Sequence, residues 1–355
     1  MSNQPIQNRE RRRVLQAISG GAALAVAAPF VITPGRARAQ SGGKMVLVSY
    51  GGSYRTSVET ALVKPFEKEF GVQVTVIDTP DLAKVKAQQM TGNIEWDVFD
   101  AVGAPGAQGS KAGYWEPLDP AMFDAKDIVG GLKKDLVPFY MFAGGVGWDP
   151  ARFGPGKAPR NFAEYWDVKK FPGMRTLRNR PSETLEAALL ADGVKPKDLY
   201  PLDLDRAFKA LERIKPHIGQ WVTETPQAIT LLERGEVNFS YVYASRVRTQ
   251  TGGKYAFSFD QALLGTEYLA VLKGAPNKAN AMKFVQFAMR PDRQAALMTL
   301  LGNIPTSRKA LPLVAEDARK WMGNVDNPNN AILNDEYWAD KFDSVGRRFK
   351  EWVLA

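Results

Sequence analysis

Met45–Tyr50 (MVLVSY), halted by Gly51-Gly52, is an unbroken apolar run ended by two residues that favour turns. That pattern belongs to a strand buried on both faces of a parallel sheet. Working outward, Thr56–Phe70 places Val58, Leu62, Phe66 and Phe70 at helical spacing, and Gly71 stops it. Val72–Asp78 (VQVTVID) reads as a second strand, Leu82–Met90 as a helix, and Trp96–Ala101 (WDVFDA) as a third strand. The order β-α-β-α-β predicts parallel strands joined by crossover helices.

A second series starts near Gly144-Gly145-Val146-Gly147-Trp148, a small-residue extended stretch suited to crossing between two lobes. Met174–Arg178 reads as a strand. Ser182–Ala191, Leu204–Ile214 and Pro226–Arg234 read as helices, Asn238–Tyr243 and Tyr255–Phe259 as strands, and Leu263–Leu272 as a returning extended segment. Asn277–Met289, Pro291–Leu301 and Asn334–Val353 are predicted helices; the last carries Trp338, Phe342, Val345 and Phe349 on one face. No internal repeat or low-complexity tract follows residue 40.

Composition removes whole classes of chemistry. The 355 residues include no cysteine, so disulfides, thiolate metal sites and cysteine nucleophiles are excluded. The single histidine, His217, has no second histidine with which to build a zinc site. The formal charge is +9, but residues 1–39 carry six Arg and one Glu, leaving +4 on the remainder. That balance is too mild for a nucleic-acid or membrane surface.

The first residues read as an export signal. Arg11-Arg12-Arg13-Val14-Leu15-Gln16 precedes Ala17–Thr33, an uncharged stretch of seventeen residues, and then Ala37-Arg38-Ala39. A basic region, a moderately apolar region and an A-x-A site are the three parts of a cleavable signal, and the paired arginines resemble the twin-arginine type. Gly20, Gly21 and Pro29 interrupt the stretch and argue against a membrane anchor. Residues 1–39 are therefore expected to be removed near Ala39, giving a periplasmic protein with no supply of ATP or nicotinamide cofactor.

Several segments, in order, resemble the periplasmic solute-binding proteins of ABC importers, and more narrowly the spermidine/putrescine-binding family. They are Phe66–Val74 (FEKEFGVQV), Trp96-Asp97-Val98-Phe99, Gly145–Pro150 (GVGWDP), Arg234-Gly235-Glu236-Val237, Ala281–Pro291 (AMKFVQFAMRP) and Gly302–Thr306 (GNIPT). The resemblance implies an α/β type II periplasmic binding protein fold: two lobes, each a mixed β-sheet flanked by helices, joined by hinge crossings. It implies lobe 1 over 44–144 and 266–304, and lobe 2 over 147–262 and 307–355. It also implies a non-enzymatic monomer without cofactor or metal that captures a small amine-bearing, polyamine-like solute and delivers it to an inner-membrane ABC permease. An amino-acid derivative or opine, or ferric ion held by tyrosines, are the alternatives on the same fold. A secreted hydrolase would instead need two carboxylates about 5–10 Å apart across an open groove, one with a raised pKa.

Candidate contacts come from loops after strands. Tyr50, Gly51, Gly52 and Tyr54 follow the first strand; glycines admit a ligand to the backbone, and tyrosine faces attract ammonium groups. The resemblance puts Gly51 where the family stacks a tryptophan. It puts Glu183 where polyamine binders pair a carboxylate with an amine, although a glutamate in a helix's first turn also answers the helix dipole. Arg178 and Arg180 nearby suit a ligand carboxylate, or else neutralise Glu183. Glu267, inside an apolar run, is costly without a partner or ligand; it falls where the family holds an ammonium with aspartate, with Gly265 replacing a tryptophan beside it. Tyr268 completes that pair. Tyr241 and Tyr243 share one face of a predicted strand, and Tyr243 stands where the family has a tryptophan.

Overall fold

A computed structural model describes residues 42–355. The expected export signal lies outside these residues. Among them, no helix is long and apolar enough to cross a membrane.

The strands are β1 (Lys44–Ser49), β2 (Gln73–Asp78), β3 (Val98–Val102), β4 (Val137–Trp148), β5 (Arg175–Arg178), β6 (Ile218–Val222), β7 (Phe239–Tyr243), β8 (Ala256–Phe257), β9 (Leu263–Val271), β10 (Ile304–Pro305) and β11 (Ala331–Ile332). They form one continuous sheet with central order β2-β1-β3-β9-β4-β7-β5-β6. At one end β1 pairs in parallel with β2 and β3; at the other β5 pairs in parallel with β6 and β7. Between them run the antiparallel strands β4 and β9. Gly144–Trp148 of β4 turns to β7, while Val98–Val102 of β3 takes the far end of β9, opposite Glu267–Val271. The chain thus has a parallel α/β half at each end of a two-stranded crossing, each half with its own buried cluster around Phe66 and Phe284, or around Phe162 and Trp338.

The first helix starts earlier than its apolar spacing indicates. Helical backbone runs from Gly52 through Phe70, with a π-turn over Glu59–Val63, and ends at Gly71 in the left-handed region. Tyr54 is therefore a helical residue, not a loop residue.

Two helices have no sequence signal of their own. Gly103–Lys111 (GAPGAQGSK) is glycine-rich and intrinsically poor at forming a helix. Packing overrides that propensity: a Cβ on Gly103 would fall 1.8 Å from the Asp335 carboxylate, and one on Gly109 would fall 2.1 Å from the Trp115 ring. Ala244–Thr251 begins directly at the end of β7. Strand β6 and the first half of β4 also go beyond the sequence reading.

Candidate functional site

A cavity of about 270 Å³ lies where the two halves meet. Most of its lining follows the carboxyl ends of the parallel strands: Tyr50 after β1, Pro80 after β2, Arg180 after β5, Thr225 after β6, and Ser245 and Arg246 after β7. Open α/β sheets bind ligands at such strand ends. The crossing strands supply Tyr140, Phe142 and Glu267.

One wall is acidic. Glu267 and Asp100 are 3% and 2% exposed. They sit two registers apart on adjacent strands, Glu267 opposite Val102 and Asp100 opposite Leu269, and so share a face. Asp100 Oδ2 accepts hydrogen bonds from Ser49 Oγ (2.8 Å) and Tyr54 OH (2.8 Å), and Tyr140 OH donates to Tyr54 OH (3.1 Å). Asp100 Oδ1 and Glu267 Oε1 are buried with no partner. Burial pushes Asp100 up to about 6, against the pull of its hydroxyl donors. It pushes Glu267 well above the usual carboxylate range, helped by the charge of Asp100. Burial and these same carboxylates also raise Tyr50, Tyr54 and Tyr140, so their hydroxyls remain protonated donors.

The opposite wall is cationic. Arg180 donates to Tyr243 OH (2.7 Å) and is ion-paired with Glu183. Glu183 is 2% exposed and also accepts from Tyr241 OH (2.8 Å) and Tyr243 OH (2.9 Å). A Cβ on Gly144 would fall 2.1 Å from the Tyr241 hydroxyl, so only glycine lets that hydroxyl reach Glu183. Burial opposes the Arg180 charge, but Glu183 and the tyrosines more than offset it and hold the guanidinium above its ordinary range. Glu183 has φ +70°, and the regular helix begins only after it. A non-glycine residue in that region costs about 1–3 kcal/mol; here the conformation turns the carboxylate under Arg180. Arg246 lines the same cavity and reaches Ser53 Oγ of the first half at 3.3 Å.

The candidate residues therefore divide. Tyr50, Tyr54, Tyr243 and Glu267 line the cavity. Glu183 does not: its oxygens are taken by Arg180, Tyr241 and Tyr243, so Arg180 neutralises Glu183 while also lining the cavity. Gly51 and Gly52 are not in the lining either. Gly51 caps the helix that begins at Gly52, and Gly52 supplies a φ of +66°. Tyr268 points away, donating to Asp335 Oδ2 at 2.8 Å. Phe142 occupies the space over Gly265, where a Cβ would meet its ring at 2.1 Å.

Sequence reading missed Asp100, Tyr140 and Arg246. Asp100 carried the signal that singled out Glu267, a charge inside an apolar run. Tyr140 lies in the part of β4 that was not anticipated, and Arg246 in the unanticipated helix.

The geometry bears on the rival chemistries. Asp100 and Glu267 stand on one face of the adjacent strands β3 and β9, on the same side of the cavity, whereas paired hydrolytic carboxylates flank a scissile bond at roughly 5–10 Å. Tyr241 and Tyr243, both raised chiefly by burial, donate their hydroxyls to Glu183. Among the described residues no group of three His, Asp or Glu side chains could hold a metal ion.

Residues 61–322 match the family model for bacterial extracellular solute-binding proteins. The chain belongs to that family. A gamma-aminobutyric acid-binding protein of Pseudomonas aeruginosa is 34% identical over 89% of this chain and 92% of its own length. A putrescine-binding periplasmic protein of Pseudomonas aeruginosa is 24% identical, over 80% and 84%. The structure of the Atu4243–GABA receptor matches with a TM-score of 0.81 at 31% identity, covering 87% of this chain and 97% of that one. The expected periplasmic-binding-protein fold and the resemblance to the polyamine-binding relatives thus hold for this solute-binding protein.

Proposed function

We propose that this solute-binding protein captures a small amino acid whose amine and carboxylate lie at opposite ends of a short chain, and hands it to an ABC permease. The carrying observation is the pairing of walls. Glu267 lines one side with the buried Asp100 behind it, each keeping an unpartnered carboxylate oxygen, and Arg180 and Arg246 offer guanidinium groups on the other. The ammonium binds Glu267, backed by Asp100, among the faces of Tyr50 and Tyr54; the carboxylate binds Arg180, which Glu183 and Tyr243 hold in place. A cavity of about 270 Å³ is below the usual range of drug-sized sites, about 300–1,000 Å³, and suits a ligand of few heavy atoms. The named ligands of the gamma-aminobutyric acid-binding relatives agree with this charge pattern.

An amine-bearing solute is common to this reading and to the polyamine-like one. The acidic wall and the putrescine-binding relative favour a diamine, and Arg180 opposes its second ammonium. We infer closure of two lobes, residues 44–144 with 266–304 and 147–262 with 307–355, hinged at the β4–β9 crossing, although Ala310, Val314 and Ala318 pack in the first half's buried cluster. A ligand touching both walls favours the closed state. No reaction is assigned to the site.

Export is by the twin-arginine signal, with cleavage near Ala39. Replacing Arg11 and Arg12 by Lys strands precursor in the cytoplasm; unchanged periplasmic delivery of that variant would show that the general secretory route suffices.

A thermal-shift screen of the mature domain against ω-amino acids, diamines, opines and ferric salts tests the ligand class. A ligand at a hundredfold excess over its Kd stabilises the fold by about 2.7 kcal/mol. A shift with ferric ion alone would overturn the amine reading.

A further inference from the structure

The acidic wall poses a problem that the ligand solves only when present. Two buried carboxyl groups on one face of adjacent strands cannot both ionise cheaply in an apolar setting. The donors that reach Asp100 are hydroxyls. Ser49 and Tyr54 both donate to Asp100 Oδ2. Tyr50 faces Glu267, and Tyr140 is turned to Tyr54. Arg180, the charged group on the facing wall, is already paired with Glu183, and Arg246 contacts Ser53. Asp100 Oδ1 and Glu267 Oε1 are left over, one from each group. A proton on Glu267 directed at Asp100 satisfies both orphan oxygens, because Asp100 already accepts two hydroxyls and is the better anion.

Resting on the reading of an ammonium ligand, we propose that Asp100 and Glu267 share one proton in the unliganded cleft and that the incoming ammonium displaces it to solvent. The balance is simple: one positive charge enters, one proton leaves, and the pair becomes a dianion held by the ligand. The burial that raises both groups is consistent with a retained proton near neutrality. Recognition is then an exchange of cations, and affinity depends on pH although the ligand's own charge does not change between pH 6 and 8, a window ~1 unit or more below an ordinary ammonium pKa.

Two measurements test this, one without any ligand. Infrared difference spectroscopy of the unliganded mature protein at pH 7 should show the carbonyl stretch of a protonated, buried carboxylic acid that is missing from Glu267→Gln. Calorimetry with 4-aminobutyrate and with putrescine, in buffers of different ionisation enthalpy, should show release of about one proton per ligand bound. Affinity should strengthen with rising pH by up to about tenfold per unit, a slope that Glu267→Gln abolishes. Binding of either amine with no proton exchange, or absence of the Glu267-dependent band, overturns the shared proton while leaving the amine reading in place. If neither amine binds, the amine reading fails and the displacement fails with it, while the infrared band still decides whether the pair holds its proton.

Discussion

The two walls of the cavity are built from the same residue types and do opposite things. On one, Glu267 lines the cavity among Tyr50, Tyr54 and Tyr140 with the buried Asp100 behind it, and a carboxylate oxygen of each is left without a partner. On the other, Glu183 lies between Tyr241 and Tyr243, and every donor it needs is present, including the Arg180 guanidinium. A satisfied buried carboxylate is scaffolding: it aims the arginine and has nothing left for a ligand. An unsatisfied one is a binding group, because a buried polar atom without a partner costs about 1–3 kcal/mol, more when charged, until something fills the gap.

The contrast is sharpest when one member of the satisfied wall is removed. Arg180→Leu leaves Glu183 buried without its cation and should cost about 3–5 kcal/mol of stability as well as binding. Pairing it with Glu183→Leu should recover most of the stability and none of the binding. Denaturant melts of the single and double variants, with calorimetry on each, measure both effects; a single variant as stable as the parent would mean that Glu183 is not charged as described.

On the unsatisfied wall the outcome inverts. Glu267→Gln should weaken an ammonium ligand about ten- to a hundredfold, the loss of one charge-assisted hydrogen bond. It should leave the unliganded fold as stable as before, or more so, since it removes an uncompensated buried acid. A large drop in melting temperature without ligand would instead make Glu267 a structural residue.

The pH dependence of the unliganded fold tests the same wall more gently. Burial raises Asp100 to about 6, Asp335 to about 6 and Glu186 to about 7, and it also raises Glu267 well above the usual carboxylate range. Above the ordinary carboxyl pKa of about 4 the unfolded chain has released protons that the folded chain keeps, so stability falls as pH rises. The decline should run from about pH 4 to 7 and should be shallower in Glu267→Gln. Melts in a buffer series check it, and a rise in stability over that interval would contradict these environments. The smallest effect is expected from Tyr50→Phe, which removes one hydroxyl facing Glu267 and should cost ligand affinity about 0.5–1.5 kcal/mol.

How much of this was legible in the sequence follows from what each signal depends on. Strands β1 and β3 announced themselves because burial demands apolar runs, β2 because its apolar residues alternate along an edge strand, and the closing helix because its apolar spacing is regular. The helix over Gly103–Lys111 could not be read, since its glycines serve contacts with Asp335 and Trp115 that are distant in the chain. The site divided the same way. Glu267 was conspicuous as a charge within an apolar strand, and Asp100 carried the same mark but went unremarked. The role of Glu183 was beyond reach, because it rests on a positive φ and on a tyrosine hydroxyl admitted by Gly144 across the sheet. Residue type showed that Glu183 was acidic; only the three-dimensional arrangement of its donors shows that its charge is already used.

The most direct test compares three four-carbon ligands by calorimetry on the same wild-type protein: 4-aminobutyrate, 1,4-diaminobutane and butyrate. Walls of opposite charge predict that 4-aminobutyrate binds at least about tenfold more tightly than either of the others, because each of those leaves one wall unanswered. Tighter binding of the diamine, or equal binding of butyrate, would contradict the account of the two walls.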